Sequence, residues 1–336
     1  MITQVKIKDY GPFDSLEWKP GTVNLILAEN GRGKTFLLKA LYTAVKALET
    51  YGRGHQSKSF PEVLSEKLEW TFQTKNGIGD LVRKGGNRRL DFSAEIDEKF
   101  LSYSFTASAS REPGQVDGNY APRNDISVFL PAKEVLSLFD AIANSRRVQQ
   151  VFGFDDTYLD LITYLETEPE RGRNYDVFSQ IRKRLDKMLD GRIVREGSDW
   201  YYRQGNAKIG IHQTAEGVKK IAILHRLLGN KTLAPGSIIF VDEPEAALHP
   251  SFVLEFVEML FDLAGMGMQV FMASHSYFVL KKYYLLARQA DAPSSSILSI
   301  EKGATACTHT LEEGLPDSSI VRASIQLYEE ELEQDL

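Results

Sequence analysis

Apolar residues fall along this chain in two rhythms. Three short runs are almost continuously apolar: Val23–Leu27, broken only by Asn24, then Ile238–Val241 and Val270–Ala273. Runs of that length predict strands buried on both faces, as in a parallel sheet. Elsewhere the pattern alternates. Val5 and Ile7 lie between Lys6 and Lys8, Tyr10-Gly11-Pro12-Phe13 has turn chemistry, and Leu16-Glu17-Trp18 returns, which predicts an antiparallel hairpin. Helical spacing joins Leu37, Leu41, Ala44, Val45 and Leu48 behind the first buried strand, and Val218, Ile221, Leu224 and Leu228 ahead of the second. A helix over Ser251 to Leu263 separates the second run from the third.

Between these landmarks, Tyr51 to Phe60 reads as a loop. Leu68–Phe72, Gly79–Val82 and Leu90–Phe92 read as short strands parted by turns at Asn76-Gly77 and Gly85-Gly86-Asn87. Arg111 to Asp125 is rich in Pro, Gly and Asn and reads as a mobile loop, ahead of a strand over Ile126–Leu130 that stops at Pro131. From Lys133 to Leu189 the spacing is helical, with Val135, Leu138, Phe139 and Ile142 on one face and Phe178, Ile181, Leu185 and Leu189 on another. Ile193 to Ile211 reads as a hairpin turning at Gly205-Asn206. Two short strands, Ser296–Ile300 and Cys307–Leu311, precede a last helix with an acidic end.

Net charge is −6, so no global basic field draws the chain to nucleic acid or anionic membrane, and any such contact needs a local patch. Two patches qualify, Arg83–Arg89 and Arg182–Lys187; each is either a nucleic-acid contact or a solvated basic face. The single cysteine, Cys307, excludes an internal disulfide and a multi-cysteine zinc site, which fits a reducing cytoplasm. No apolar run approaches the ~18 residues a membrane span requires, and the first residues lack a signal-type apolar core. The expected location is cytoplasmic.

The chemistry concentrates where strands end. Ala28-Glu29-Asn30-Gly31-Arg32-Gly33-Lys34-Thr35 follows the first buried strand and matches G-x-x-x-x-G-K-[ST] at every fixed position but the first. Gly31 and Gly33 let main-chain N–H groups turn inward around phosphate oxygens, and the helix N-terminus adds partial positive charge. Lys34 can reach the outer phosphates, and the Thr35 hydroxyl can ligate Mg2+. Ala28 in the first glycine position requires a negative φ there. The second buried strand delivers Asp242 and Glu243, suited to holding Mg2+ and positioning an attacking water. The third ends in Ser274-His275, where a histidine can meet a γ-phosphate. Thr214-Ala215-Glu216-Gly217 opens a helix, a second potential anion site. Tyr10 and Phe13 are candidates for packing or for stacking on a base.

Taken together, Glu29–Thr35, Thr214–Lys220, Phe240–Pro250 and Ala273–Ser276 resemble the ABC-type ATPases, and among them the SMC-like and OLD (overcoming lysogenization defect) ATPases. The resemblance implies an α/β head: a mixed sheet with a P-loop core, an antiparallel β subdomain and an inserted helical lobe. Residues 1–130 and 191–336 would form the ATPase lobe, with the β subdomain at about 66–110, and 131–190 the helical lobe leading to a signature motif at 213–220. Two copies would sandwich two ATPs as a homodimer or larger oligomer. ATP would contact Glu29, Asn30, Gly31, Arg32, Gly33, Lys34, Thr35 and Phe36 of one copy and Thr214, Ala215 and Gly217 of the other. Thr35 and Asp242 would serve Mg2+, Glu243 would orient water, His275 would sense the γ-phosphate, Lys34 would assist catalysis, and Ala247–Pro250 would cross the interface.

Two departures stand out. The signature serine falls on Ala215, with Thr214 one place away. No glutamine occupies the stretch around Phe129-Leu130-Pro131-Ala132 that would link Mg2+ to the helical lobe. No long coiled coil separates the lobes, and the stretch after His275, residues 276–336, is too short for the nuclease domain many OLD proteins carry. The expectation is an ATP-hydrolysing switch for a separately encoded effector, a nuclease or toxin, in anti-phage defence by family analogy. The alternatives are a DNA-repair or DNA-end-binding module and a slow-turnover scaffold.

Overall fold

The computed structural model describes residues 1–54, 57–168, 178–301 and 306–335. The part of the expected helical stretch at 169–177 lies outside them. In chain order the first elements are β1 (Ile2–Tyr10), β2 (Phe13–Trp18), β3 (Val23–Leu27), α1 (Lys34–Thr50) and α2 (Phe60–Phe72). Then come β4 (Arg89–Ile96), β5 (Lys99–Thr106), β6 (Gln115–Gly118), β7 (Ser127–Leu130), α3 (Phe139–Ala143), α4 (Asp156–Glu166) and α5 (Ser179–Leu189). The chain continues through β8 (Arg192–Glu196), β9 (Asp199–Gln204), β10 (Ala207–Gly210), α6 (Glu216–Gly229), β11 (Ile238–Asp242) and α7 (Pro250–Gly265). It closes with β12 (Gln269–Ser274), α8 (Tyr277–Ala287), β13 (Ser295–Ile300), β14 (Ala306–His309) and α9 (Ser319–Asp335).

The three continuously apolar runs are adjacent strands of one central sheet, ordered β14-β13-β3-β12-β11-β7. Its pairings are parallel except for β14, which lies antiparallel on the edge. Their continuous apolarity follows from burial on both faces. Ile26, Ile238, Phe240, Phe271 and Ala273 turn toward α1 and a second, antiparallel sheet ordered β2-β1-β4-β5-β6. Leu25, Leu27, Ile239, Val241, Val270 and Met272 face α6, α7 and α8 on the other side. The helix α1 is therefore sandwiched between two sheets, which is why nearly every side chain along it is buried. Phe271 and Phe240 stack at 5.1 Å beneath it, and Tyr42 meets Phe240 edge-on at 5.8 Å.

The sequence reading fails at four places. Leu68–Phe72 is the last turn of α2 and not a strand: Ser59 and Glu62 form a reciprocal capping box, and Phe60, Val63, Leu64 and Leu68 are buried at helical spacing. Gly79–Val82 belongs to a short 3-10 turn, Ile78–Leu81, with a single β-bridge from Val82 to Tyr10. The antiparallel sheet accordingly takes β1 and β2 together with 89–118, and 66–88 contributes no strand to it. Within the Pro/Gly-rich stretch, β6 pairs with β5 over Leu101–Ser104 and adds an edge strand where a mobile loop was expected. The segment 192–210 is a three-stranded meander, one strand more than a hairpin.

A largely buried polar network ties α1 and α2 to α4 and the residue before it. Tyr42 of α1 donates to Asp160 of α4 at 2.8 Å, and Lys67 of α2 meets Asp156 at 2.8 Å and Asp160 at 3.3 Å. Lys46 pairs with Glu49 at 3.0 Å and with the Tyr164 hydroxyl, and Lys39 bonds Asp155 at 2.7 Å.

Candidate functional site

The strands β3, β12 and β11 run in one direction, so their C-terminal ends share an edge of the sheet. Register sets the spacing: Ser274 lies opposite Leu27, and Asp242 opposite Ala273. Each apolar run therefore delivers its polar terminus to the same edge.

At the end of β3 the chain turns through the glycine loop. Gly31 has φ +76° and Gly33 +95°, left-handed values that a Cβ resists. Gly33 is also the N-cap of α1, and a Cβ there would come within 2.8 Å of Pro12. Ala28 does not adopt a positive φ, which is how it replaces glycine at the loop entry. Lys34 is buried and its ammonium donates to the carbonyls of Ala28 at 2.7 Å and Glu29 at 3.0 Å. Burial lowers its pKa, opposed by the charges of Glu243, Asp242 and Glu245. Glu29 accepts from Arg32 at 2.9 Å, and the Asn30 side chain is exposed. Phe36 turns its ring away from the loop, against Tyr10 at 5.3 Å and Phe72 at 4.6 Å.

Thr35 donates to both carboxylate oxygens of Asp242, at 3.0 and 2.9 Å, which joins the loop to the end of β11. Burial raises the Asp242 pKa and the neighbouring Glu243 adds to this, against the Thr35 hydrogen bond and the charges of Lys39 and Lys34. Glu243 holds φ +48° although it is not glycine. Its N–H donates to the Ala273 carbonyl at 2.9 Å, and its own carbonyl accepts from Ala246 N–H at 3.0 Å and from the Lys220 ammonium. The His275 Nδ1 lies 3.3 Å from Glu243 and 3.5 Å from Glu245.

Of the residues singled out from sequence, Lys34, Thr35, Asp242, Glu243 and His275 meet at this edge. The turn Thr214-Ala215-Glu216-Gly217 sits elsewhere: a Cβ on Gly217 would come within 2.6 Å of the Ala247 carbonyl, so the turn packs on the segment after Glu243. Ala215 is the N-cap of α6 without a side-chain hydrogen bond, and the Thr214 hydroxyl donates to the Gly210 carbonyl at 3.3 Å. Tyr10 and Phe13 are wholly buried and have no face free for a base. Around Pro131, where no glutamine occurs, Glu134 lies 3.6 Å from Lys219.

The basic patches are largely spoken for. Arg88 pairs with Asp9 and with Asp14 at 3.0 Å, Arg89 with Asp91 at 3.2 Å, and Arg184 with Asp262 at 2.6 Å and Glu258 at 3.4 Å. Every cation of the Arg83–Arg89 cluster has an acidic partner, whereas Lys183 and Lys187 of the second cluster are exposed.

Two residues at the edge escaped sequence reasoning. Glu245 accepts from the Ser274 hydroxyl at 2.8 Å and from the His275 N–H at 3.1 Å, fixing the end of β12. Lys220 reaches Glu243 from α6. The acid two residues beyond Glu243 was a usable signal for the first; nothing local signals the second.

No curated protein is similar enough in sequence to match the chain. The crystal structure of an SMC head bound to the C-winged helix domain of ScpA is 12% identical, covers 93% of this chain and 98% of its own, and superposes with a TM-score of 0.56. An SMC head with an extended coiled coil, bound to the C-terminal domain of ScpA derived from Pyrococcus furiosus, is 11% identical, with 98% of each chain covered and a TM-score of 0.49. The recombination mediator RecF with ATP is 12% identical, covers 92% and 99%, and scores 0.43. The first match shows a shared fold, that of an SMC head. The model of a family described as "AAA domain, putative AbiEii toxin, Type IV TA system" matches residues 29–281, most of the chain. The chain therefore belongs to that AAA family.

Proposed function

We propose that this protein binds and hydrolyses ATP at the shared strand edge, and that ATP-dependent pairing of two heads switches a separately encoded effector. The observation that carries the reading is the meeting of Thr35 with Asp242 at 2.9 Å beside the Glu243–His275 pair at 3.3 Å. In this reading residues 1–130 and 191–336 form the ATPase lobe and 131–190 the helical lobe.

Main-chain N–H groups of Glu29–Thr35 and the α1 N-terminus take the phosphates. Lys34 exchanges the Ala28 and Glu29 carbonyls for phosphate oxygens, relieving the cost of a buried ammonium. Thr35 and Asp242 supply hard oxygen donors side by side, and Asp242 is a buried carboxylate whose charge is poorly compensated, so the pair fits Mg2+. When bound, that ion neutralises charge on the phosphate oxygens. Glu243 orients the attacking water, its main chain clamped on both sides by Ala273, Ala246 and Lys220. His275 contacts the γ-phosphate. The Thr214–Gly217 turn of the partner copy closes the site in trans, and Ala247–Pro250 crosses between copies.

The sequence of Phe240–Pro250 favours the OLD-like branch, and with it a role in anti-phage defence through an effector nuclease or toxin. The test is ATP turnover by wild type and Glu243→Gln, with solution mass recorded in Mg·ATP. Turnover in wild type, with an inactive but dimeric variant, is the expected result. Binding without turnover in wild type overturns hydrolysis and leaves a nucleotide-dependent scaffold.

A further inference from the structure

The last helix, α9, is rooted in the body of the protein and then leaves it. Ile320 and Val321 pack against the main core. Beyond them Ile325, Leu327, Tyr328 and Leu332 are 51%, 69%, 60% and 45% exposed. Single exposed apolar residues need no explanation, but Ile325, Tyr328 and Leu332 share one face of the helix and form a patch.

Their spacing is specific. Val321, Ile325, Tyr328 and Leu332 follow one another at intervals of four, three and four. That is heptad spacing, a short apolar seam that a second helix can cover, and a helix of 17 residues on its own draws little stability from propensity alone. The seam therefore asks for a second helix.

Charge selects the kind of helix. Glu329 and Glu331 flank the seam, with Glu330 and Glu333 beyond, and no lysine or arginine occurs from Ser324 to Gln334. Arg322, near the root, is taken by Asp317 at 2.6 Å. A second copy of α9 brings further glutamates and no cation to meet them. A helix with an apolar stripe bordered by lysine or arginine satisfies both the seam and the acids.

The root of α9 also touches the nucleotide machinery. Ala28, Glu29 and Arg32 of the glycine loop share one cavity with Ser319 and Arg322. A change in the loop on filling with phosphate has a direct path to the base of the helix.

We propose that α9 is the docking face for a basic amphipathic helix of a partner protein, and that its root on the glycine loop makes docking nucleotide-sensitive. The proposal rests on the effector-switch reading and names the surface it would use.

The test uses the full chain and two labelled synthetic helices with the same leucine/isoleucine stripe, one bordered by lysines and one by glutamates, read by fluorescence anisotropy with and without Mg·ATP. The lysine-bordered helix is expected to bind, with affinity falling as salt rises and differing severalfold between the nucleotide states. Ile325→Ser with Leu332→Ser is expected to weaken it at least tenfold while ATP turnover stays unchanged. Glu329→Lys with Glu331→Lys is expected to exchange the preference for the glutamate-bordered helix. Binding of neither helix, binding indifferent to these substitutions, or concentration-dependent self-association abolished by them overturns the docking face. An affinity identical in both nucleotide states overturns the coupling. Absence of ATP turnover beside intact docking counts against the proposed function instead.

Discussion

The ammonium of Lys220, in the second turn of α6, donates to the main-chain carbonyl of Glu243, 23 residues on and at the end of β11. The contact holds the left-handed backbone from which the Glu243 carboxylate is aimed. Burial pushes Lys220 down to about 8, against the pull of Glu245, Asp242 and Glu243. In the unfolded chain its pKa returns to about 10.4. Between those values the unfolded state binds more protons, so the contribution of this site to stability rises with pH across the window and is least below pH 8. Melting curves of wild type and Lys220→Met from pH 7 to 10 isolate the effect. The advantage of wild type is expected to grow with pH by at most about 3 kcal/mol, and a constant difference argues against a buried, depressed lysine.

Asp242 carries the complementary penalty. Its folded pKa is raised by burial, so the folded state binds more protons than the unfolded state above the ordinary carboxylate range, and stability falls as pH rises through that range. Asp242→Asn removes the buried charge and leaves an oxygen for Thr35. In the absence of Mg2+ at pH 7 the variant is expected to melt about 1–3 °C higher than wild type, and to lose ATP turnover. A lower melting temperature shows that Asp242 is already compensated in the free protein.

Ala215 occupies the N-cap of α6 with no side-chain hydrogen bond. Ala215→Ser supplies an acceptor for the free N–H groups of the first turn and is expected to add roughly 1 kcal/mol of stability, measured by denaturant titration. Under the ATP-sandwich reading the same hydroxyl also reaches the partner's phosphate, so turnover is expected to rise. A stabilised variant with unchanged turnover confines Ala215 to a capping role.

Gly217 has no room for a side chain, because a Cβ would lie 2.6 Å from the Ala247 carbonyl and 3.2 Å from Leu248. Gly217→Ala must push the turn off the segment after Glu243 and is expected to cost about 1–3 kcal/mol. Gly31→Ala meets nothing within 4 Å and bears only the strain of φ +76°, about 1 kcal/mol. Thermal melts that rank the two the other way would show that the Ala247 contact yields.

Asp160 accepts from Tyr42 and lies between Lys67 and the charge of Lys46. Asp160→Asn takes one of two carboxylates from Lys67, which keeps Asp156, and from the surroundings of Lys46, which keeps Glu49, and a loss of about 1–3 kcal/mol is expected. Hydrogen exchange should then rise first in α4. Uniform loss across the molecule would mean the network does not specifically anchor α4.

The central sheet and its edge were legible because burial on both faces forces unbroken apolar runs, and Val23–Leu27, Ile238–Val241 and Val270–Ala273 stand out for that reason alone. The polar residues after each run then fall at one edge by topology. Leu68, Trp70 and Phe72 misled because apolar residues two apart fit a strand as well as the end of a helix; the deciding signal was Ser59 with Glu62, some distance upstream. The Lys220–Glu243 contact and the Tyr42–Asp160 bond depend on how separate elements approach, 23 and 118 residues apart, and no local pattern encodes them.

The alignment of β3, β12 and β11 makes the sheet a ruler for the chemistry as well as a core. Side chains alternate between faces, so deleting one residue within Ile238–Val241 would turn Phe240 and Ile239 to the wrong layers and retract the carboxylates by one position. The Gly205-Asn206 turn, exposed and remote in sequence from these strands, bears no such constraint. Length variation in this protein is therefore tolerable at the Gly205-Asn206 turn and forbidden inside its three central strands, where the requirement to pack and the requirement to bring Asp242, Glu243 and His275 to one edge are one requirement.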